Sequence, residues 1–426
     1  MSNPLPQNAA SSKLWLGWAM WSMGALFFFL HYFVRVAPSV IIPDLMHDFH
    51  VTATAMGTLA FYFYVAYVGA QIPLGILVDR LGVRYILCAC ILLAGASTYV
   101  FSFSTQIELA YWMRFCFGIG AAVAFVSAVK LANSWLPSSH LALAVGMTQA
   151  LGMFGGLVGT APMTIIMENF GWRDTFSAFS WLFLALAIVV LIFVRNSPVS
   201  FAASKEGKST ESDKAKAGDF KAVLGCSKTW VNAFYCGLVF LPMVIYGEFW
   251  GVNFLEQAQS LTHAQAGVAI SVVFVGWCIG GPLSGYIADH IGRLPVMRFS
   301  AIGGLVIIPI LMYCTLSYPM IIALNLIFGL TNSGLVAAYT VAGEMHSAKT
   351  AGLALAIANM MTIMVGMIVN PFFGRLLDSL WGQHETIIAG VPVYMASDYR
   401  QAMLIMPFSL VAALLCTFYV KETLRK

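Results

Sequence analysis

An arginine and a glutamate stand inside long apolar stretches of the chain, where charged side chains are costly. Arg35 ends the run HYFVR, and Glu248 lies in LPMVIYGEFWGVNF. A guanidinium offers a planar fork of donors that fits a carboxylate or a phosphate, and it keeps its charge. A buried carboxyl group can bind a proton or accept an ammonium group. The two residues together predict recognition of an anionic or zwitterionic compound, with Glu248 as a proton-coupling group.

The elements that must hold these residues are membrane-spanning helices. The 426 residues are 60% hydrophobic and 9% charged, with a mean hydropathy of +0.83, whereas a soluble domain carries about 25% charged residues. A spanning helix needs about 20 apolar residues. Twelve such stretches follow one another: 14–39, 55–78, 85–104, 109–132, 141–166, 174–195, 229–256, 265–288, 296–316, 319–343, 351–377 and 401–420. We therefore predict an all-α membrane protein, with a first helix that is not a cleaved signal.

A polar segment, 196–228, divides the stretches into two sets of six. It is rich in Ser, Lys and Asp, which predicts a flexible cytoplasmic linker. The predicted domains are an N-terminal six-helix bundle, 1–195, and a C-terminal six-helix bundle, 229–426. With both termini placed in the cytoplasm, sixteen of the 22 Lys and Arg residues fall in cytoplasmic segments and two fall in outside loops. This bias predicts cytoplasmic termini in a bacterial inner membrane.

An internal repeat supports the division into halves. The segment GILVDRLGVR, 75–84, returns as GYIADHIGR, 285–293, 210 residues later. Each segment follows the second stretch of its half and carries an aspartate and a glycine at matching places: Asp79 and Gly82, and Asp289 and Gly292. Two related bundles predict a binding site near the midplane of the membrane, between the halves.

These motifs resemble those of the major facilitator superfamily. G-x-L-x-D-R-x-G-x-R at 75–84 is similar to its loop motif, although Val83 replaces a usual basic residue. R-x-x-x-G-x-G-A-A at 114–122 is similar to its fourth-helix motif, and the Gly-rich segment 146–162 with the following GWR is also typical. The resemblance covers nearly the whole chain. It implies two pseudo-symmetric bundles and transport by alternating access.

The resemblance also implies gates at the cytoplasmic loops. In the family the loop aspartate faces the N-terminus of a helix in the other bundle, where the helix dipole favours a carboxylate. Asp79 occupies that place here, and Asp289 would do the same in the second half. The predicted gating residues are Gly75, Asp79, Arg80, Gly82, Arg84, Gly285, Asp289, Gly292 and Arg293. For the arginines of this set, anchoring at the membrane surface is the alternative.

The first helix points to one branch of the superfamily. HYFVRVAPSVIIPDL resembles the organic anion and organophosphate:cation symporters, in which the matching arginine holds the anionic group of the substrate. Two other cations of that branch are replaced here by Gln71 and Gly152, and a second arginine by Val244. Phosphate esters are therefore disfavoured. One cation and one acid are instead similar to the phagosomal amino-acid transporters of intracellular bacteria.

Several polar residues lie on helices that line the cavity of the family, and each could contact the substrate or pack in the core. The predicted substrate-binding set is His31, Arg35, Tyr64, Tyr67, Gln71, Gln149, Tyr246, Tyr339 and Asn359. Proton coupling is assigned to Glu248, with His31 and Arg114 as further candidates. For Arg114, packing is an equal alternative. Arg375 and Asp378 are three residues apart and are expected to pair with each other.

The two central charges also have plainer interpretations. Arg35 could extend to the membrane surface or pair with a neighbouring helix. Glu248 could form an ion pair between the halves or lie near the outer surface. His31, four residues before Arg35 on the same helix face, could be a hydrogen-bonded packing residue.

The predicted function is proton-coupled uptake of a small carboxylate-bearing metabolite, with an amino acid first and a monocarboxylate or sugar acid second. The alternatives are an exporter of amphiphilic compounds or a siderophore, an organophosphate exchanger, and a non-transporting membrane sensor. No G-x-x-x-x-G-K-[ST] motif occurs, so energy would come from a gradient. The eight cysteines show no metal-binding spacing. We expect no enzyme activity, cofactor, metal or nucleic-acid partner, and a monomer whose partners are its substrate and the bilayer.

Overall fold

The computed structural model describes residues 7–196, 222–347, 350–388 and 391–424. In these ranges twelve helices are long and apolar enough to span a membrane: α1 (Leu14–Val40), α2 (Ala53–Val78), α3 (Val83–Ser102), α4 (Ile107–Trp135), α5 (Leu143–Phe170), α6 (Trp172–Phe193), α7 (Ser227–Gln259), α8 (His263–Ile291), α9 (Arg293–Tyr313), α10 (Tyr318–Glu344), α11 (Ala351–Trp381) and α12 (Ala396–Cys416). The predicted twelve-helix fold is confirmed. Most of the predicted linker, 196–228, lies outside the described residues.

Two short elements mark one face of the molecule, which we call the distal face. A helix, Ile42–Phe49, joins α1 to α2 there. Between α11 and α12, the two-residue strands β1 (Ile387–Ile388) and β2 (Val391–Pro392) pair antiparallel. The opposite face carries the end of α6 and the start of α7, which flank the predicted linker, and we call it the linker face.

The helices form two six-helix bundles, α1 to α6 and α7 to α12, whose internal packing repeats. Helix α1 packs on α4 and α5, as α7 packs on α10 and α11. Likewise α2 packs on α4 and α3 on α6, as α8 packs on α10 and α9 on α12. The bundles meet mainly through two pairs of helices, α2 with α11 and α5 with α8, and the end of α1 also contacts α7. This pseudo-symmetry agrees with the sequence repeat.

Small residues let the bundles approach closely in their distal halves. A Cβ added to Gly57 of α2 would lie 2.3 Å from the carbonyl oxygen of Asn370 in α11. One added to Gly374 of α11 would lie 2.3 Å from the carbonyl oxygen of Ala53. Helices α5 and α8 also approach closely, since a Cβ added to Gly267 would lie 2.5 Å from a threonine side-chain oxygen of α5. A larger side chain at these places would hold the bundles apart, because backbone atoms cannot move aside cheaply.

A carboxylate of one bundle caps a helix of the other at the distal face. Asp378 of α11 accepts hydrogen bonds from five donors at the start of α2 and beside it: Ala53 N (3.2 Å), Thr54 N (2.9 Å), Thr52 Oγ1 (2.6 Å), Thr54 Oγ1 (2.5 Å) and the Tyr394 hydroxyl (2.5 Å). Backbone N–H groups at a helix start have no intrahelical acceptor, and the dipole favours a negative charge there. Burial and the bond to Asp378 raise the pKa of Tyr394, which keeps the phenol a donor. The expected pairing of Asp378 with Arg375 is therefore wrong.

The bundles separate toward the linker face. In α2 no residue from 68 to 77 is buried, so this part of the helix lacks close packing on every side. A Cβ added to Gly69, Gly75, Gly146 or Gly285 would meet no described atom within 4 Å. The space between the bundles is therefore closed at the distal face and open to the linker face.

We expect Asp378→Asn to weaken the distal closure. The substitution removes the charge and turns one acceptor oxygen into an NH2 group that faces N–H and O–H donors. Spin labels at His47 and Gln383, exposed positions of the two bundles at this face, should show a population with a longer separation that grows several-fold. Asp174→Asn, on α6 at the same face, is the control. Identical distance distributions in the wild type and Asp378→Asn would contradict the capping role.

Candidate functional site

The helices that carry Arg35 and Glu248 are irregular at these residues. The α-helical part of α1 gives way to a 3₁₀ turn, Ala37–Val40, which contains Pro38. In α7 the eight residues Met243–Trp250 form a π-helical segment directly after Pro242. Proline interrupts the regular hydrogen-bond ladder because it lacks an N–H group. Such π-helical segments occur frequently at functional sites.

Arg35 and Glu248 meet across the interface between the bundles. The Nη2 atom of Arg35 lies 2.5 Å from Oε2 of Glu248. The hydroxyl of Tyr32 donates to Oε1 and that of Tyr64 to Oε2, each at 2.8 Å. The side chains of Arg35 and Glu248 are 7% and 2% exposed. The ion pair between the halves, one of the interpretations that the sequence left open, is thus present in this conformation.

The Arg35 guanidinium keeps donor capacity beyond this pair. Its bonds to Glu248 and, at 3.4 Å, to Tyr64 both come from Nη2. The buried Nε has no hydrogen-bond partner among the described residues. The rings of Tyr32 and Tyr64 lie 4.7 and 5.2 Å from the guanidinium carbon, which holds the group in place. Arg35 also lines a cavity, which places its guanidinium beside a space that a ligand could occupy.

This cavity lies between the bundles and holds about 620 Å³ of empty space, part of it open to solvent. Seven of the nine predicted substrate-binding residues line it: His31, Arg35, Tyr67, Gln71, Gln149, Tyr339 and Asn359. Tyr64 does not line the cavity, and its hydroxyl donates to Glu248. Arg35 is the one permanently charged residue in the described wall. The site therefore combines a single cation with amide and hydroxyl groups.

Two of the predicted site residues lie elsewhere. The hydroxyl of the buried Tyr246 donates to Asn325 at 2.8 Å, inside the C-terminal bundle. Arg114 donates to the carbonyl oxygens of Val34 and Arg35, at 3.2 Å each. These carbonyls lie near the end of the α-helical part of α1, beside the 3₁₀ turn that contains Pro38. Arg114 therefore fixes the backbone that carries Arg35, in agreement with the packing interpretation.

Sequence reasoning missed Tyr32 and the aromatic side of the cavity. Tyr32 stands three residues before Arg35, and residues at this spacing share a helix face. This spacing could have identified Tyr32 as a neighbour of Arg35. An apolar helix contains many aromatic residues, however, so the sequence does not single out this one. Phe28, Phe125 and Trp277 also line the cavity, and they provide apolar surface for the carbon skeleton of a ligand.

At the linker face, Asp289 stays within its own bundle. Arg293 forms ion pairs with Asp289 and with Glu344, whose Oε1 lies 3.0 Å from Nη2. Asp289 is 63% exposed. The contact with a helix start of the other bundle, expected from the resemblance, is absent among the described residues because the bundles are apart at this face. The side chain of Asp79 lies outside the described part of the structure.

The two loop glycines adopt matching conformations. Gly82 and Gly292 have φ of +87° and +112°, a region that favours glycine. Glu422 caps the helix that follows Gly292, as its oxygens accept two backbone N–H groups at 2.9 Å. Burial raises the pKa of Glu422, but backbone N–H groups outweigh it and hold the pKa below its usual range. Arg80 is exposed, and Arg84 donates through Nε to a backbone carbonyl of α6 at 3.0 Å.

Two curated proteins show what kind of relatives the chain has. It is similar to a "Probable sulfoacetate transporter" of Cupriavidus necator, with 24% identity over 83% of this chain and 85% of that protein. It is also similar to a "Probable galactarate/D-glucarate transporter" of Bacillus subtilis, with 25% identity over 66% of this chain and 66% of that protein.

Family and fold comparisons agree with these relatives. Among solved structures, an inward-facing bacterial homolog of the human lysosomal transporter Spinster matches with a TM-score of 0.78 and 15% identity, over 95% of this chain and 98% of that chain. At this identity the match shows the fold alone. The family model of the Major Facilitator Superfamily matches residues 24–255 and 233–426. The chain therefore belongs to the major facilitator superfamily, and it is a multi-pass membrane transporter rather than an enzyme.

Proposed function

We propose that the protein is a proton-coupled symporter that takes up a small hydroxylated organic acid by alternating access. The Arg35–Glu248 ion pair, whose arginine lines the cavity between the bundles, is the observation that carries the proposal. The two relatives, named for sulfoacetate and for galactarate and D-glucarate, give it further support, because each name denotes a small anion.

Charge balance couples the proton to the anion. In the present conformation the Glu248 carboxylate neutralises Arg35. A substrate carboxylate on Arg35 adds a second negative charge to the buried site, and an uncompensated buried charge costs several kcal/mol. Protonation of Glu248 removes that excess charge. The anion and the proton therefore bind together and leave together.

Arg114 is a second buried cation and could balance the anion instead. Its guanidinium nitrogens donate to carbonyls at the C-terminal end of a helical segment. The negative end of the helix dipole compensates part of its charge there. Arg114 does not line the described cavity wall. We therefore assign the proton to Glu248 and the role of a positioning residue to Arg114.

The cavity favours a hydroxylated acid over the amino acid that the sequence placed first. A buried ammonium group is stabilised best by a carboxylate partner, but Glu248 is engaged with Arg35 and two tyrosines. No Asp or Glu lines the described part of the cavity wall. Amide groups suited to substrate hydroxyls do line it, those of Gln71, Gln149 and Asn359. A phosphate ester is disfavoured, since Arg35 is the single permanent cation among the described residues of the wall.

The opening at the linker face supports the proposed direction of transport, which is uptake into the cytoplasm. The excess of Lys and Arg on this side predicts that it faces the cytoplasm of a bacterial inner membrane. The structure then corresponds to the inward-open state, from which the substrate and the proton leave. Closure of this face with opening of the distal face would complete the cycle.

Proteoliposomes test this function directly. We expect an inward proton gradient to drive accumulation of hydroxylated carboxylates from a labelled panel of sugar acids, monocarboxylates, amino acids and sugar phosphates. A protonophore should abolish the accumulation, and protein-free liposomes are the control. Gradient-driven movement of amphiphilic compounds alone would favour the exporter. If no member of the panel accumulates, the symporter proposal is wrong and the sensor becomes the better explanation.

A further inference from the structure

His31 lines the central cavity with one ring nitrogen unused. It is fully buried and stands one helical turn before Arg35. Its Nδ1 lies 2.9 Å from the carbonyl oxygen of Phe28. Its Nε2 has no hydrogen-bond partner among the described residues. The ring stacks on Tyr67, with centroids 6.0 Å apart and planes inclined by 16°, so its orientation is fixed.

The bond to the backbone decides which nitrogen carries the hydrogen. A carbonyl oxygen can only accept, so Nδ1 of His31 must be the donor. In the neutral ring Nε2 is then an acceptor. A charged ring would place a second cation one turn from Arg35 in a buried wall, where screening is weak and like charges repel. The neutral form therefore fits the site, and its Nε2 is an unpaired acceptor on a residue that lines the cavity.

We propose that Nε2 of His31 accepts a hydrogen bond from a hydroxyl or ammonium group of the same carboxylate that Arg35 binds. This inference rests on the proposed function. It adds the residue that recognises a donor group close to the substrate carboxylate. Residues four apart on a helix have Cβ atoms about 5–6 Å apart, which a single hydroxy acid or amino acid can bridge. A plain carboxylate leaves Nε2 unpaired, and a site built to bond a donor rejects an analogue that lacks it. His31 is then a specificity residue and not the proton carrier.

Binding to the purified full-length protein tests this inference with ligands that differ in one group. Lactate, alanine and propionate share a carboxylate and carry a hydroxyl, an ammonium or neither, and gluconate with 2-deoxygluconate repeats the comparison on a longer acid. We expect the wild type to prefer a donor-bearing ligand by about tenfold. His31→Phe keeps the stacked ring but lacks the acceptor. It should weaken the donor-bearing ligands until the ratio is near one, with the Kd of propionate unchanged.

Two further variants control for indirect effects. His31→Gln supplies an amide oxygen and should keep part of the preference. Trp21→Phe removes a buried hydrogen bond to Thr148, 3.0 Å long, on the same helix but away from the cavity wall, and should keep all of it. An unchanged ratio in His31→Phe, or an equal loss in Trp21→Phe, would overturn the inference while Arg35-dependent binding still supports the transporter. Absence of Arg35-dependent binding of every carboxylate would overturn the inference and the proposed function together.

Discussion

Arg35→Ala should weaken binding of the transported carboxylate at least 100-fold, about 2.7 kcal/mol. The substitution removes the one permanent cation of the described cavity wall. It also leaves Glu248 buried with two tyrosine hydroxyls as its remaining partners. Removing one partner of a buried ion pair costs about 3–5 kcal/mol, so a lower Tm should accompany the loss of binding. Equilibrium binding of the best ligand of the uptake panel, and thermal unfolding, measure the two effects.

Two matched variants separate charge from geometry and from general damage. Arg35→Lys keeps a positive charge but loses the planar fork, so binding should fall by about tenfold rather than vanish. Arg173→Ala removes an arginine that pairs with Asp48 at 3.2 Å near the distal surface, and it should bind normally. A Kd for Arg35→Ala within threefold of the wild type would show that the anion binds elsewhere.

Glu248→Gln should separate exchange from accumulation. Glutamine has nearly the same shape, and its amide oxygen can still accept a bond from Tyr32 or Tyr64, but it cannot bind and release a proton. Counterflow of labelled against unlabelled substrate should persist within severalfold of the wild-type rate, while accumulation driven by the proton gradient should vanish. At high pH the variant should bind the substrate more tightly than the wild type does, because it has no carboxylate that opposes the anion at Arg35.

Another acid of the same helix gives the control for Glu248→Gln. Glu256 lies in the distal part of α7 and pairs with His263 rather than with the cavity. Glu256→Gln should therefore keep gradient-driven accumulation. If Glu248→Gln accumulates substrate like the wild type, Glu248 is not the coupling site.

The sequence predicted what depends on composition and on local spacing. Twelve helices follow from twelve apolar stretches, because a membrane requires about 20 such residues in each. Arg35 and Glu248 were identified because a charge inside these stretches is costly and needs a reason. Their direct contact was one possibility among several. The two residues are 213 positions apart on different bundles, and no local pattern reports how the bundles face each other.

The wrong and unfulfilled expectations have the same origin. The sequence predicted that Asp378 pairs with Arg375, which is nearby on the same helix. At the bundle interface Asp378 instead accepts hydrogen bonds from backbone N–H groups at the start of α2. Asp289 was expected to cross to the other bundle, a contact that requires the linker face to be closed. Partners between bundles depend on the conformational state, and a single sequence encodes all states of the transport cycle at once.

The pH dependence of substrate binding tests the coupling between Arg35 and Glu248 most directly. In the proposed cycle Glu248 is the ionised partner of Arg35 in the empty site and takes up one proton when the substrate binds. By linkage, the Kd of the wild type should rise about tenfold per pH unit in the range where the empty site is deprotonated and the occupied site is protonated. In Glu248→Gln the Kd should stay flat over the same range. A wild-type Kd that does not change with pH would mean that Arg114 balances the anion, and the assignment of Glu248 as the coupling site would be wrong.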